Sequence, residues 1–217
     1  MNNDDGSTMV DDPIPTGLRA RVLERKTGEE EFKHGGVAIA KLLEYWQWAA
    51  SDLLGNTERG RLAEYIVATA VGVADGVRSG WEPYDVETKS RIRVEVKASA
   101  YAQTWGQKTL SKIIFGIRPT RAWDPEQNVF APDSRRQAHV YVFALLTERD
   151  KEIVNPLNLE QWEFYVLRAQ ILDERARLQK TISLSSLLKL DALKVSYGEL
   201  RDAIERSIAG DERTGCR

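Results

Sequence analysis

Residues Arg91–Ser99 read RIRVEVKAS and alternate without a break. Ile92, Val94, Val96 and Ala98 fall on one side, and Arg91, Arg93, Glu95, Lys97 and Ser99 on the other. A period of two marks a β-strand with one face on a core and one face polar. Upstream, Trp81–Val86 predicts a partner strand ending near Asp85, with Glu87-Thr88-Lys89-Ser90 as the turn. Such a hairpin brings Asp85 close to Glu95 and Lys97. Two carboxylates and an ammonium on one polar face can hold a divalent cation and activate water.

The preceding segment bears on the same face. Gly55 ends a predicted helix over Val37–Leu54, and Asn56 or Thr57 can cap the next, Glu58–Val73. From Leu62 onward that second helix is apolar nearly all round, as expected of a helix buried on most sides. Glu64 is the only charged residue in the run. Burying its carboxylate unpaired costs roughly several kcal/mol. Glu64 therefore either reaches the polar face of the hairpin or escapes to an exposed edge and pairs with Arg61.

Asp85 followed by Glu95-Val96-Lys97 resembles the active-site motif of the PD-(D/E)XK nuclease superfamily, the restriction-endonuclease-like fold. The proline–aspartate pair of that family stands here as Pro83-Tyr84-Asp85, with one residue inserted. The family similarly carries a glutamate on the helix before the hairpin, which matches Glu64. The resemblance covers about Asn56 to Gln103. It implies an α/β fold, a mixed β-sheet flanked by helices, as a single domain over residues 17–210. It also implies the Val96 carbonyl as a metal ligand beside the carboxylates. Gln103 sits where several members place a glutamine beyond the lysine, which makes it a substrate-binding candidate or plain surface polarity.

Lysine and arginine number 31 against 33 acids, a formal net charge of −2. That argues against coating nucleic acid by bulk electrostatics, but a local basic patch can still grip phosphate. The only cysteine is Cys216, so a disulfide within one chain and a cysteine-based zinc site are excluded, and a reducing cytoplasm fits. No apolar run is long enough to span a membrane. P-loop, GxGxxG and GxSxG patterns are all missing.

Elsewhere, the acidic, proline-punctuated residues 1–16 read as a disordered tail and 211–217 as a loose end. Gly17–His34 suggests a short helix, and Trp46 core or edge packing. Lys112–Ile117 predicts a strand. Lys108, Lys112, Arg118 and Arg121 cluster around it as phosphate-contact candidates or a solvated rim. Asp124–Arg136 reads as a long loop whose Arg136 could face substrate. The run from His139 to Leu146, HVYVFALL, suits a central strand, with His139 structural. Trp162–Leu167 predicts another strand and Gln170–Leu178 a helix. Ser183–Ser185 begins a short helical segment, and Ser196 with Glu199 forms the capping box of a last helix ended by Gly210. The family's helix between the third and fourth strands finds no clear segment between Ile117 and His139.

The expected chemistry is phosphodiester hydrolysis with Mg2+, or Mn2+ in its place. Asp85 and Glu95 are the direct ligands, and Glu64 holds a metal-bound water or a second ion. Lys97 orients the attacking water or stabilises the pentavalent charge. The resemblance favours DNA as substrate and a restriction or other defence system as the setting. Cutting both strands would call for a homodimer. Two rival readings are a catalytically inactive binding or interaction module of the same fold, and an unrelated α/β scaffold with a merely solvated polar face. A surface-facing Glu64 would favour the last.

Overall fold

The computed structural model describes residues 16–18, 21–124, 127–177 and 179–209. The expected tails (apart from Thr16), Gly210 and Cys216 lie outside the described residues. Two antiparallel strands come first, β1 (Glu31–His34) and β2 (Val37–Lys41), joined at Gly35-Gly36. Both glycines have positive φ, 57° and 83°, which the two-residue turn of a tight hairpin requires. In place of the helix expected over Gly17–His34, the described residues show one 3-10 turn at Thr16–Leu18, chain without helix or strand over 21–30, and β1. The next helix, α1 (Leu42–Ala50), starts after β2 rather than at Val37, and the Glu44 carboxylate accepts the Lys41 backbone N–H at 2.8 Å. None of its residues is buried. Gly28 lies against Leu43 and Trp46, yet Trp46 stays partly exposed and Trp48 is 85% exposed, so the core or edge packing expected of Trp46 is edge packing.

Helix α2 (Asn56–Val71) is the helix expected over Glu58–Val73, but it starts two residues earlier, with Gly55 and not Asn56 or Thr57 at the N-cap and no side-chain cap. Gly72, at φ 72°, closes it in a left-handed turn with Val73 N–H donating to the Ala68 carbonyl. Strand β3 is only Val86–Glu87, because Pro83 lacks a ladder donor and the chain from Gly80 to Asp85 bends. Asp85 N–H still donates to the Val94 carbonyl at 3.1 Å. Strand β4 covers Arg93–Ala100. Arg91 itself turns at φ 64° and stands outside the alternation.

Strand β5 (Ile114–Gly116) is followed by β6 (Thr120–Asp124) and β7 (Val129–Arg135), an antiparallel pair where the sequence suggested a loop. Trp123 and Phe130 pack edge to face across it, centroids 4.7 Å apart. Pro132 is tolerated because each strand of a two-stranded ladder has a free edge. This hairpin stands where the helix between Ile117 and His139 was sought. Then come β8 (Val140–Leu146), β9 (Trp162–Arg168), α3 (Ala169–Arg175), β10 (Thr181–Ser183), α4 (Leu184–Leu188), β11 (Leu193–Val195) and α5 (Leu200–Ala209).

The main sheet has the order β11-β9-β8-β4-β3, with β4 and β8 parallel and every other pair antiparallel. Every residue of β8 is buried, because both faces are covered. On one face Val94, Val96, Val142, Ala144 and Phe164 meet Ala63, Ile66 and Val67 of α2 and Leu200, Ala203 and Ile204 of α5. On the other, Phe143, Leu145, Tyr165 and Leu167 meet Phe115, Ile117, Leu172, Ile182 and Leu187. The fold is thus a mixed α/β sheet flanked by helices. Among the described residues no helix is long and apolar enough to cross a membrane.

Candidate active site

Alternation along β4 turns Val94 and Val96 under α2 and leaves Glu95 and Lys97 on the opposite side. The Lys97 Nζ lies 2.5 Å from Glu95 Oε1. Asp85 joins them from the end of the partner strand. Pairing with β3 reaches only to Val94, so the Val96 N–H points at an edge without a strand partner. The Asp85 carboxylate fills that place and accepts the Val96 N–H at Oδ2, 2.8 Å. The same oxygen is 4.0 Å from Lys97 Nζ. Strand parity turns the Val96 carbonyl toward this edge too, since Val94, two residues earlier, offers its carbonyl there to Asp85.

Glu64 completes the group from α2. Its carboxylate is 14% exposed and is gripped by Arg78 through both Nε and Nη2, the latter 3.1 Å from Oε1. The Arg78 Nη2 is also 3.9 Å from Asp85 Oδ1. Arg61, the partner considered from sequence, pairs with Glu58 instead. Glu64 is therefore directed at the site and not at an exposed edge. Three carboxylates and two cations form one chain: Glu64, Arg78, Asp85, Lys97, Glu95.

The charges do not balance. Burial pushes the Asp85 carboxyl up to about 6, with Glu95 and Glu64 adding to the shift and Lys97 and the Val96 N–H opposing it. Burial works against the Lys97 ammonium, yet Glu95 and Asp85 outweigh it and raise its pKa. Lys97 is thus a firm cation at neutral pH. Among the described residues no three acid, histidine or cysteine side chains close around one point. The ammonium and the guanidinium stand between the carboxylates instead.

A cavity of about 440 Å³ opens beside Glu64 and Asp85, walled by Arg25, Arg61, Tyr65, Arg78 and Tyr84 among others. Glu95 and Lys97 are not part of its lining. Arg25 fastens the far wall through the Asp75 carbonyl at 3.1 Å. Sequence reasoning missed Arg78, which sits in an irregular segment with no periodicity to mark it. It also missed Tyr141, paired in register with Glu95 on β8, whose phenol is pushed up by burial and stays neutral.

The other candidates scatter. Gln103 is buried: its Oε1 accepts from Arg59 at 3.0 Å, and its Nε2 donates to the Ala100 carbonyl and to Ser111. It fastens α2 to the end of β4 and leaves nothing for a substrate. Arg136 is likewise spent. Its side chain is fully buried, bonded to the Ile117 and Ala176 carbonyls and to Asp173 at 2.5 Å. Arg121 bonds the Ala131 carbonyl at 2.6 Å and covers the Phe130 ring. Lys108, Lys112 and Arg118 are exposed and make no ion pair among the described residues. His139 is structural as expected: Nδ1 accepts the Arg93 N–H at 3.1 Å, and burial holds the imidazole below its ordinary pKa.

A sequence model of one protein family, bacteriophage T4 endonuclease IV, matches residues 38–186, well over half of the chain. The chain belongs to the bacteriophage T4 endonuclease IV family. The match spans α1 through α4 and takes in Glu64, Arg78, Asp85, Glu95 and Lys97, so the charged group lies within the part shared with this endonuclease family. No curated protein matches the chain.

Proposed function

We propose that this family member is a metal-dependent endonuclease of the PD-(D/E)XK type that hydrolyses DNA phosphodiester bonds in a restriction or other defence system. The observation that carries the reading is the convergence of Asp85, Glu95 and Lys97 at one end of the β3–β4 hairpin. The donor set suits Mg2+, with Mn2+ able to substitute. Asp85, Glu95 and the Val96 carbonyl are hard oxygen donors, and the Asp85 carboxyl is raised first by burial and then by the nearby Glu95, with Lys97 opposing. Magnesium needs only one or two carboxylates, completing its shell with water and phosphate oxygens. Asp85 and Glu95 would hold the ion directly, the Val96 carbonyl beside them, and Glu64 through water.

When bound, the ion neutralises phosphate charge, lowers the pKa of a water and steadies the leaving oxygen. The protein's own groups do the rest. Lys97 remains protonated and donates hydrogen bonds to the attacking water or to the oxygens of the pentavalent phosphorus. Glu95 fixes Lys97 through their contact. The Val96 N–H keeps Asp85 in a single orientation.

The test is Mg2+- or Mn2+-dependent cleavage of supercoiled plasmid, linear duplex and single-stranded DNA, wild type beside Lys97→Ala. The expected outcome is cutting by the wild type, arrest by chelator and a silent variant. Nicked against linearised plasmid separates one-strand cutting from the two-strand cutting expected of a homodimer. Equal cutting by both proteins would remove Lys97 from the mechanism. No cutting with any metal or substrate would favour the inactive-module reading.

A further inference from the structure

Arg78 is the one member of the charged group that no motif assigns, and its bonding is unlike that of the arginines the fold is built on. Arg136 spends two of its three nitrogens on backbone carbonyls and its side chain is fully buried. The side chain of Arg78 is 47% exposed, and among the described residues its hydrogen bonds and ion pairs are only with the carboxylates of Glu64 and Asp85. It stands in the stretch 77–85, without helix or strand, on the wall of the cavity that also holds Glu64 and Asp85. A guanidinium between two carboxylates meets the electrostatic demand a divalent cation would meet, with half the charge and none of the coordination.

We infer that Arg78 is an internal stand-in for the metal, holding Glu64 and Asp85 until a divalent ion takes them over, and then turning into the cavity to bind a substrate phosphate. The inference rests on the metal-dependent reading above. The exchange conserves interactions. The carboxylates pass from guanidinium to metal, and the freed guanidinium meets an anion that arrives with the substrate. Arg25 and Arg61 stand on the cavity wall together with Glu82 and Glu87, so a phosphate there needs the positive charge that the freed Arg78 brings. Because the ion would compete with Arg78 for Asp85 directly and for Glu64 through its water, phosphate and metal binding are linked, and each strengthens the other by the same factor. Arg78 is a positioning residue in the metal-free state and touches substrate only after the exchange.

The experiment measures Mn2+ binding to the full chain by calorimetry, without and with inorganic phosphate, for wild type, Arg78→Gln and Arg61→Ala. Arg78→Ala serves as a second variant should the glutamine protein fold poorly. Arg78→Gln should bind Mn2+ at least about tenfold more tightly than wild type, since the competitor is gone. It should also lose the tightening that phosphate gives the wild type, and cleave more slowly. Arg61→Ala removes a charge from the same cavity without releasing either carboxylate, so its Mn2+ affinity should move less than about twofold. Mn2+ affinity unchanged or weaker in Arg78→Gln would overturn the inference while leaving the metal reading standing. Equal tightening in Arg61→Ala would reduce Arg78 to a general field effect and overturn it too. No Mn2+ binding by any of the three would remove the metal reading and this inference with it.

Discussion

Helix α2 is joined to the β3–β4 hairpin at two polar places that use similar residues in opposite ways. At its N-terminal end the buried Arg59 reaches the Leu54 carbonyl at 2.6 Å, Asn56 at 2.6 Å and Gln103 at 3.0 Å, all neutral acceptors fixed by the backbone or by further bonds. Burial lowers its pKa, and Asp52 partly restores it. One turn further along, Glu64 meets Arg78 and, beyond it, Asp85, Lys97 and Glu95: charges on charges, in excess of the local cations. At the first joint one buried cation is ringed by neutral acceptors, although the Arg59 Nε itself has no hydrogen-bond partner among the described residues. At the second, carboxylates outnumber the cations between them. A buried cation held by fixed neutral acceptors sets geometry, whereas a group with more carboxylates than cations reserves capacity for a further cation.

The sharpest way to break this contrast is to remove Lys97. Lys97→Ala should lower the cleavage rate by about 10³-fold, the scale of losing a donor aimed at transition-state charge. The urea unfolding midpoint should stay close to wild type, because a partly exposed ion pair contributes little to stability. A variant that instead unfolds early would place Lys97 among the structural residues, beside Arg59. The opposite pattern is expected at the first joint. Arg59→Met strands Gln103 and the Leu54 carbonyl and should cost about 3 kcal/mol in urea denaturation. Mn2+ affinity and the rate per folded molecule should not change. Weakened metal binding in Arg59→Met would mean the two joints are not separate.

The same contrast explains what the sequence disclosed. The strand around Glu95 and Lys97 was legible because a period of two and its charged face are both local signals. Asp85 followed from one turn. Glu64 was legible because a lone charge in an apolar helix has few honourable destinations. Arg78 was not, since its meeting with Glu64 spans 14 residues, from inside α2 to an irregular segment beyond it. Arg136 misled for the same reason: its backbone acceptors lie 19 and 40 residues away, and an arginine in the link between two strands gives no sign of being buried. Gln103 read as a substrate-binding candidate or plain surface polarity because its partner Arg59 lies 44 residues away. The errors in the fold have a different origin. Apolar spacing around Leu18, Val22 and Ile39 resembles a helix, but Gly35-Gly36 supplies a tight turn and the flanking residues pair as strands. Polar composition and Pro132 hid the β6–β7 hairpin, which buries too little to need an apolar pattern.

The smallest expected effect tests the excess charge itself. Asp85 holds its proton up to about pH 6 in the folded chain, against an ordinary value of 3.8, chiefly because it is buried and secondly because Glu95 stands near. Between those two pH values the folded chain binds more protons at this group than the unfolded chain does. Stability from Asp85 is therefore greatest below about pH 4 and falls as pH rises to about 6, by roughly 2 kcal/mol. Several groups run the other way. Glu163 and Asp52 have lowered carboxyl pKa values, and the His139 imidazole is held below its usual value, so each favours the fold as pH rises. The quantity to measure is thus a difference: urea stability of wild type minus Asp85→Asn, in chelator, from pH 4.5 to pH 7. It should decline with pH, since the asparagine can still accept the Val96 N–H but carries no proton to lose. Saturating Mg2+ should reverse the slope, because the ion needs Asp85 ionised and binds more tightly above about pH 6. A difference that stays flat in chelator would mean that the Asp85 carboxylate is not strained in the fold. The second joint would then be as balanced as the first, and the demand for a cation would have to come from Glu95 alone.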